Sequence, residues 1–410
     1  MKAPFRWPSD WTSPELLRLL SGSPIDCVIF DRQDHPVLPV ARSSGLTAFV
    51  SAADPDSVVT LADAVWPRVK MSQRGERDLA SAGPTGAPWV DSNAWRAKLA
   101  RVRSGGKQVW LAFEPPKGEI APNDAAYGVA IADSIAGGAR WIVSLDPEWS
   151  RALAAGKAEA LGRWRKLLAT LAYFETRDAW RAYEPAGPLG ILSDFARDNE
   201  FMGREVLNLA QRANMFFRIV EQTGATSADF GDYKALVYVN HALPKDALRG
   251  KIAAFVRAGG LLIAPAPVAA LFPAGRALNC DVPGYNLHTL GQGRIASPTR
   301  EWDDPYQVAN DARNLMSRRY DPARLYNSGA TGVHYSVARD GRTELLQLVN
   351  FTGRSSSPPL TIGLARAYRS AWLHVLENAG PQALQPIQRE HGVEYRLPPF
   401  SIYAAIELKG

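Results

Sequence analysis

Four short apolar runs separated by helix-patterned stretches, across residues 189–265, constrain the possible folds of this chain more than any other feature. The runs fall at residues 189–194, 216–220, 233–239 and 261–265. Residues 200–212 lie between the first and second, and residues 245–258, closed by Gly259-Gly260, between the third and fourth. Strands linked by helices run parallel, because a crossover returns the chain to the same edge of the sheet. The pattern predicts a doubly wound, flavodoxin-like α/β domain over residues 185–275. After the first run, at Ser193-Asp194-Phe195, there is no G-x-G-x-x-G turn to let a backbone approach a pyrophosphate. No Ser or Cys sits on a G-x-S-x-G elbow either. This unit is therefore read as structural, a packing or oligomerisation module.

Residues 1–184 carry further short apolar runs at 25–30, 46–50, 58–61, 109–113 and 141–146. Helical spacing appears at 12–20, 94–102, 124–137 and 161–180, with Trp95, Leu99 and Val102 on one face of the second. That combination predicts a largely parallel sheet. A full (β/α) barrel takes about 250 residues, so a barrel here is truncated or degenerate, with several crossovers reduced to loops. An open α/β sheet is the alternative. Residues 276–331 read as an irregular connection with one helix at 305–317, and residues 332–410 alternate as a small C-terminal β-sandwich.

Composition narrows the function. The chain has 410 residues and a net charge of +6, without a Lys/Arg block dense enough to track phosphates, so nucleic acid is not an expected partner. No apolar run is long enough to cross a membrane. Cys27 and Cys280 stand apart as single thiols, and His35 is the sole histidine before residue 185, so neither a metal nor a cofactor is expected. No export signal is recognisable at the start, which makes the cytoplasm the default and leaves the periplasm or secretion open if a signal was removed. The 12 Trp are the unusual count. Indoles cover the apolar faces of sugar rings, and they also fill cores.

Carboxylates at the ends of apolar runs are the candidate chemistry: Asp31, Asp63, Asp91, Glu114 and Asp146. A strand opening into a loop is where an α/β barrel keeps catalytic groups. Glycoside hydrolysis needs two carboxyls, about 5 Å apart for retention and 6.5–9.5 Å for inversion. Glu114, followed by Pro115-Pro116, leads as nucleophile or base, and Asp91 and Asp63 are its candidate partners, each with a Trp nearby. Trp66, Trp89 and Trp110 are candidate sugar platforms, and Asn93 and Asp146 candidate polar contacts to the substrate. The plainer alternatives are that Asp91-Ser92-Asn93 and Asp146 cap the helices that follow them, and that Glu114 is a solvated loop residue.

The stretch Gly106 to Pro116, the helix-and-turn Ala132 to Trp141 with Gly138-Ala139, and the late phrase Leu348 to Thr352 are similar to motifs of the glycoside hydrolase family 42 type of β-galactosidases. The expected order of barrel, flavodoxin-like domain and small β-domain resembles that family as well. The resemblance implies a carbohydrate substrate, a retaining mechanism with Glu114 as nucleophile, and a homo-oligomer, dimer or trimer. The family takes its general acid from an Asn-Glu pair on barrel strand four. No such pair occurs in residues 1–113 of this chain; its sole Asn-Glu pair is Asn199-Glu200. A non-catalytic carbohydrate-binding or structural relative that has lost the acid is the alternative implied by that departure.

Overall fold

The computed structural model describes residues 3–50, 56–70, 88–113, 123–225, 229–273, 275–354 and 359–410. In the first part, β1 (Ala3–Arg6), β2 (Ile25–Phe30) and β3 (Thr47–Val50) form a parallel row. β4 (Val58–Leu61) is followed by an antiparallel ribbon of β5 (Arg68–Val69) and β6 (Val90–Asp91). β4 then pairs in parallel with β7 (Gln108–Leu111), and β7 with β8 (Arg140–Trp141). The two rows join beyond β8, where Arg6 N–H donates to the Val143 carbonyl (2.8 Å) and Val143 N–H to that of Pro4 (3.0 Å).

The resulting order, β3-β2-β1-β8-β7-β4, sets the first strand beside the last. The sheet therefore curls. Because side chains alternate faces along a strand, Cys27, Ile29, Val58, Trp110, Ala112 and Ile142 share one interior with Phe49. The Phe49 and Trp110 rings stack across it at 5.9 Å. Among the described residues β3 and β4 are not paired, so this is not a closed barrel. The outward residues, among them Phe5, Val28, Phe30, Leu111 and Val143, are covered by helices. These are α1 (Leu38–Ser43), α2 (Ala94–Arg103), α3 (Asp124–Ala136), α4 (Pro147–Ala154) and α5 (Ala158–Glu175). α3 reaches α2 closely at Gly137, where a Cβ would lie 2.9 Å from the Ala94 backbone. Two expectations change in this part. The long helix expected over 161–180 ends at Glu175, and Val102 is 48% exposed rather than on the buried face of α2.

The second sheet follows β9 (Glu184–Pro185). Its elements are β10 (Leu189–Ser193), α6 (Glu200–Arg212), β11 (Phe217–Glu221), β12 (Ala235–Tyr238), α7 (Asp246–Arg257), β13 (Leu261–Ile263) and α8 (Ala266–Ala269). Then come β14 (Ala277–Leu278), β15 (Tyr285–Leu290), β16 (Gly293–Pro298) and α9 (Pro305–Met316). The strand order is β11-β10-β12-β13-β16-β15-β14. The first five are parallel, in the 2-1-3-4-5 order of a doubly wound sheet. α6 and α9 cover one face and α7 the other, which is why β10 and β12 are buried along their whole lengths. Residues expected as an irregular connection thus extend this sheet through β14, β15 and β16.

The last part holds β17 (Ala323–Tyr326), β18 (Thr331–Val337), β19 (Thr343–Asn350), β20 (Thr361–Leu364), β21 (Ser370–Val375), β22 (Gln382–Ala383), β23 (Ile387–Arg389), β24 (Gly392–Arg396) and β25 (Tyr403–Lys409). Two antiparallel sheets, β17-β20-β24-β23 and β22-β21-β25-β19-β18-β9, enclose Leu346, Leu348, Ile362, Val393 and Ile406. The outer face of β19 and β25, with Leu345, Val349, Tyr403 and Ala405, packs into the core of the first part. A hydrogen-bond relay crosses all three parts. Lys98 Nζ on α2 donates to Gln211 Oε1 on α6 (2.8 Å), and Gln211 Nε2 donates to the Val333 carbonyl on β18 (3.1 Å). Among the described residues no helix is long and apolar enough to cross a membrane.

Candidate active site at the carboxyl ends of the parallel strands

The carboxyl ends of β4, β7 and β8 are surrounded by aromatic side chains that pack on one another. Trp66, after β4, lies 5.2 Å from Tyr127 of α3, 5.6 Å from Trp141 and 5.9 Å from Phe113 between ring centroids. Tyr127 meets Trp149 at 5.0 Å. Beyond them, the buried Trp7 and Trp11 meet edge-on at 5.2 Å. Several indole N–H groups donate to backbone carbonyls: Trp7 to Trp11, Trp149 to Ala160 and Trp164 to Leu19. Much of the tryptophan content is thus spent on joining loops and helices to the sheet.

Glu114 lies outside the described residues. Phe113, the last described residue before it, is half-buried against Trp66 and Trp141. Trp110 is fully buried inside the curled sheet and offers no face to a ligand there; Trp66 is buried as well. Asp63 is 59% exposed and held by Arg96 Nη1 at 2.7 Å. Asp91 does not sit at the end of a parallel strand but in the β5–β6 ribbon, opposite Arg68. Its Oδ1 is 3.2 Å from Arg212 Nη2 of α6. The same guanidinium lies 3.7 Å from the Trp89 ring centroid and covers that face.

Asn93 is fully buried and clamps the loop after β4: its Nδ2 donates to the Val65 carbonyl and its Oδ1 accepts from Val65 N–H, both at 2.7 Å. Asp146 caps α4, with Oδ1 accepting from Trp149 N–H at 2.8 Å, while its own N–H donates to Tyr127 Oη at 3.0 Å. Its Oδ2 is buried and has no hydrogen-bond partner among the described residues. The structure brings Trp66 and Asp146 together around Tyr127, and sets Asp91 and Trp89 apart from them against α6. Among the described residues no group of side chains is fit to hold a metal.

Asp133 and Lys98 are buried ionisable residues outside the strand-end candidates. Asp133 of α3 accepts from Ser92 Oγ (2.7 Å) and Asn93 N–H (2.6 Å), pinning the start of α2. Burial pushes its carboxyl up to about 6, against the pull of those hydrogen bonds. Burial, reinforced by the charge of Arg101, pushes Lys98 down to about 7. The available signal was position. Asp133 interrupts an otherwise apolar helix, and Lys98 lies three residues after Trp95, on its face.

The chain matches no family model and no curated protein in sequence. In fold it is similar to glycosidases. The α-L-fucosidase isoenzyme 2 of Paenibacillus thiaminolyticus superposes with a TM-score of 0.57 at 12% identity, over 96% of this chain and 79% of that one. The β-galactosidase of Bacillus circulans sp. alkalophilus gives 0.53 at 9% identity, over 93% and 63%. A β-galactosidase from Rahnella sp. R3 gives 0.51 at 12% identity, over 94% and 63%. The chain spans less than two thirds of the length of these two β-galactosidases. It carries a glycoside hydrolase-like α/β fold.

Proposed function

We propose that this protein is a glycoside hydrolase-like carbohydrate-binding protein that lacks the second carboxylate of a working glycosidase. The observation that carries this reading is the seam between β3 and β4. If the Gly106–Pro116 stretch corresponds to barrel strand seven, then β8 is strand eight, β1 to β3 are strands one to three, and β4 is strand six. Strands four and five would have to fit between Val50 and Val58, in seven residues, where each strand-helix unit takes about 30. Strand four is the one from which the similar family takes its general acid. Asp63 and Asp91, the candidate substitutes, are each engaged by a guanidinium.

In this reading the curled sheet is a truncated (β/α) barrel, and Glu114 serves as an acceptor for sugar hydroxyls. One observation favours a second reading, retaining hydrolysis by Glu114 with Asp146: the buried Asp146 Oδ2 has no partner, and β7 and β8 are adjacent strands. Calorimetric titration of the full chain with a panel of neutral oligosaccharides, alongside Glu114→Gln, tests the first reading. Saturable binding lost in the variant supports it. Turnover of aryl glycosides that disappears in both Glu114→Gln and Asp146→Asn would transfer support to the second, and absence of binding and turnover alike sinks both.

A further inference from the structure

At the opposite end of the curled sheet, the amino ends of β7 and β8 border a cavity of about 690 Å³. Its walls are the last turn of α2, the turn Asp178–Ala182 after α5, and the hairpin between β18 and β19. Six basic side chains line it: Lys98, Arg101, Lys107, Arg140, Arg181 and Arg339, of which Lys98 already donates to Gln211 Oε1. Three carboxylates face them, Glu175, Asp178 and Glu184. Glu175 and Asp178 are already shared between two guanidinium groups. Arg140 lies 3.4 Å from Glu175 and 3.1 Å from Asp178, and Arg181 lies 2.9 Å from Glu175 and pairs with Asp178 as well.

These pairs hold Arg140 and Arg181 in place without exhausting them. The Arg181 side chain is 8% exposed, and its Nε and Nη1 are buried without a hydrogen-bond partner among the described residues. Among the same residues no carboxylate lies within salt-bridge distance of Arg101, Lys107 or Arg339. A basic residue in the last turn of a helix interacts favourably with its carbonyl end, which accounts for Arg101. It does not account for Lys107 and Arg339, exposed on two separate loops and converging on the same groove. Guanidinium forks fixed beforehand lose little freedom on binding and match the geometry of phosphate, sulfate or carboxylate oxygens.

We propose that this groove binds a ligand bearing a phosphate or sulfate group, at a site separate from the carboxyl ends of the strands. The cavity volume lies within the range of about 300–1,000 Å³ usual for small-molecule sites, so it accommodates a body attached to the oxyanion. Free phosphate and a sugar-borne ester share the same recognition chemistry.

The test is calorimetric titration of the full chain at low ionic strength with inorganic phosphate, a sugar phosphate, a sulfated disaccharide and its desulfated counterpart. The Lys107→Gln/Arg339→Gln double variant is measured in parallel, its fold checked by circular dichroism; both side chains are exposed, so its melting temperature without ligand should match wild type. We expect saturable binding of at least one oxyanion arm, weakened by about tenfold or more in the double variant and by added salt. Binding of phosphate alone identifies the free ion as ligand, and binding of only the sugar-borne arms identifies the ester. No saturable binding of phosphate, of the sugar phosphate or of the sulfated disaccharide beyond that of its desulfated counterpart, or equal oxyanion affinity in the double variant, overturns the proposal.

Discussion

Replacing Lys98 by Met perturbs the hydrogen-bond relay from α2 through α6 to β18. Lys98 Nζ donates to Gln211 Oε1 at 2.8 Å and lies 4.9 Å from the Phe217 ring centroid. Burial, then the charge of Arg101, lowers its ammonium from 10.5 to about 7, with Asp133 opposing. The folded value is below the unfolded one, so the associated stability is fully present above 10.5 and is lost as pH falls through about 7. That interval, at about 1.36 kcal/mol per pH unit, corresponds to about 5 kcal/mol. The Met side chain removes this dependence but leaves Gln211 Oε1 without its donor, a cost of about 1–3 kcal/mol. Near neutral pH and below, Lys98→Met should therefore be more stable than wild type by about 2–4 kcal/mol, and above pH 10.5 less stable by about 1–3 kcal/mol. Urea unfolding followed by Trp fluorescence at several pH values reads the difference between the two proteins, which cancels other titrating groups. Two parallel stability–pH curves would exclude a lowered Lys98 pKa in the folded protein.

Trp110→Ala and Phe49→Ala should each cost about 3–5 kcal/mol in denaturant unfolding, and the double variant should cost less than their sum because the rings stack across the curled sheet. Strict additivity would contradict the curl. Asp133→Ala removes the acceptor for Ser92 Oγ and Asn93 N–H and should cost about 2–5 kcal/mol. The Asp133 carboxyl is raised in the folded state, so its contribution is fully present below 3.8 and declines as pH rises through about 6. The loss in Asp133→Ala, read by the same unfolding assay, should accordingly be larger near pH 4 than near pH 7.

The doubly wound sheet was legible because its strands are buried on both faces, which leaves continuous apolar runs at β10 and β12 with helical stretches around them. The extension through β15 and β16 was less so. Tyr285–Leu290 exposes Asn286 but buries Tyr285, Leu287 and Leu290, and its turn at Gly291-Gln292 was obscured by surrounding Pro, Asn and Asp. The expected boundary between residues 184 and 185 falls inside β9, whose Pro185 pairs with Ser336 of β18, some 150 residues further along the chain. The candidate site shows the same division. That Asp146 caps α4 is local and was weighed from Asp146-Pro147 alone. That Asp91 is bound to Arg212 is a contact across 121 positions, and no local pattern discloses it. The burial of Trp110 and Trp66 is likewise a property of the curled sheet and of α3, so aromatic content alone did not separate core from platform.

In the proposed function, the curled sheet retains carbohydrate recognition through Glu114 without a hydrolytic pair. One proton NMR experiment addresses both halves in a single sample. The full-length wild-type protein is mixed with each of a panel of oligosaccharides; line broadening of the sugar signals reports binding, and new anomeric signals report cleavage. The expected result is broadening for at least one saccharide, its loss in Glu114→Gln, and an anomeric region that stays unchanged over days. New anomeric signals that grow with wild type and are abolished by Glu114→Gln would contradict it.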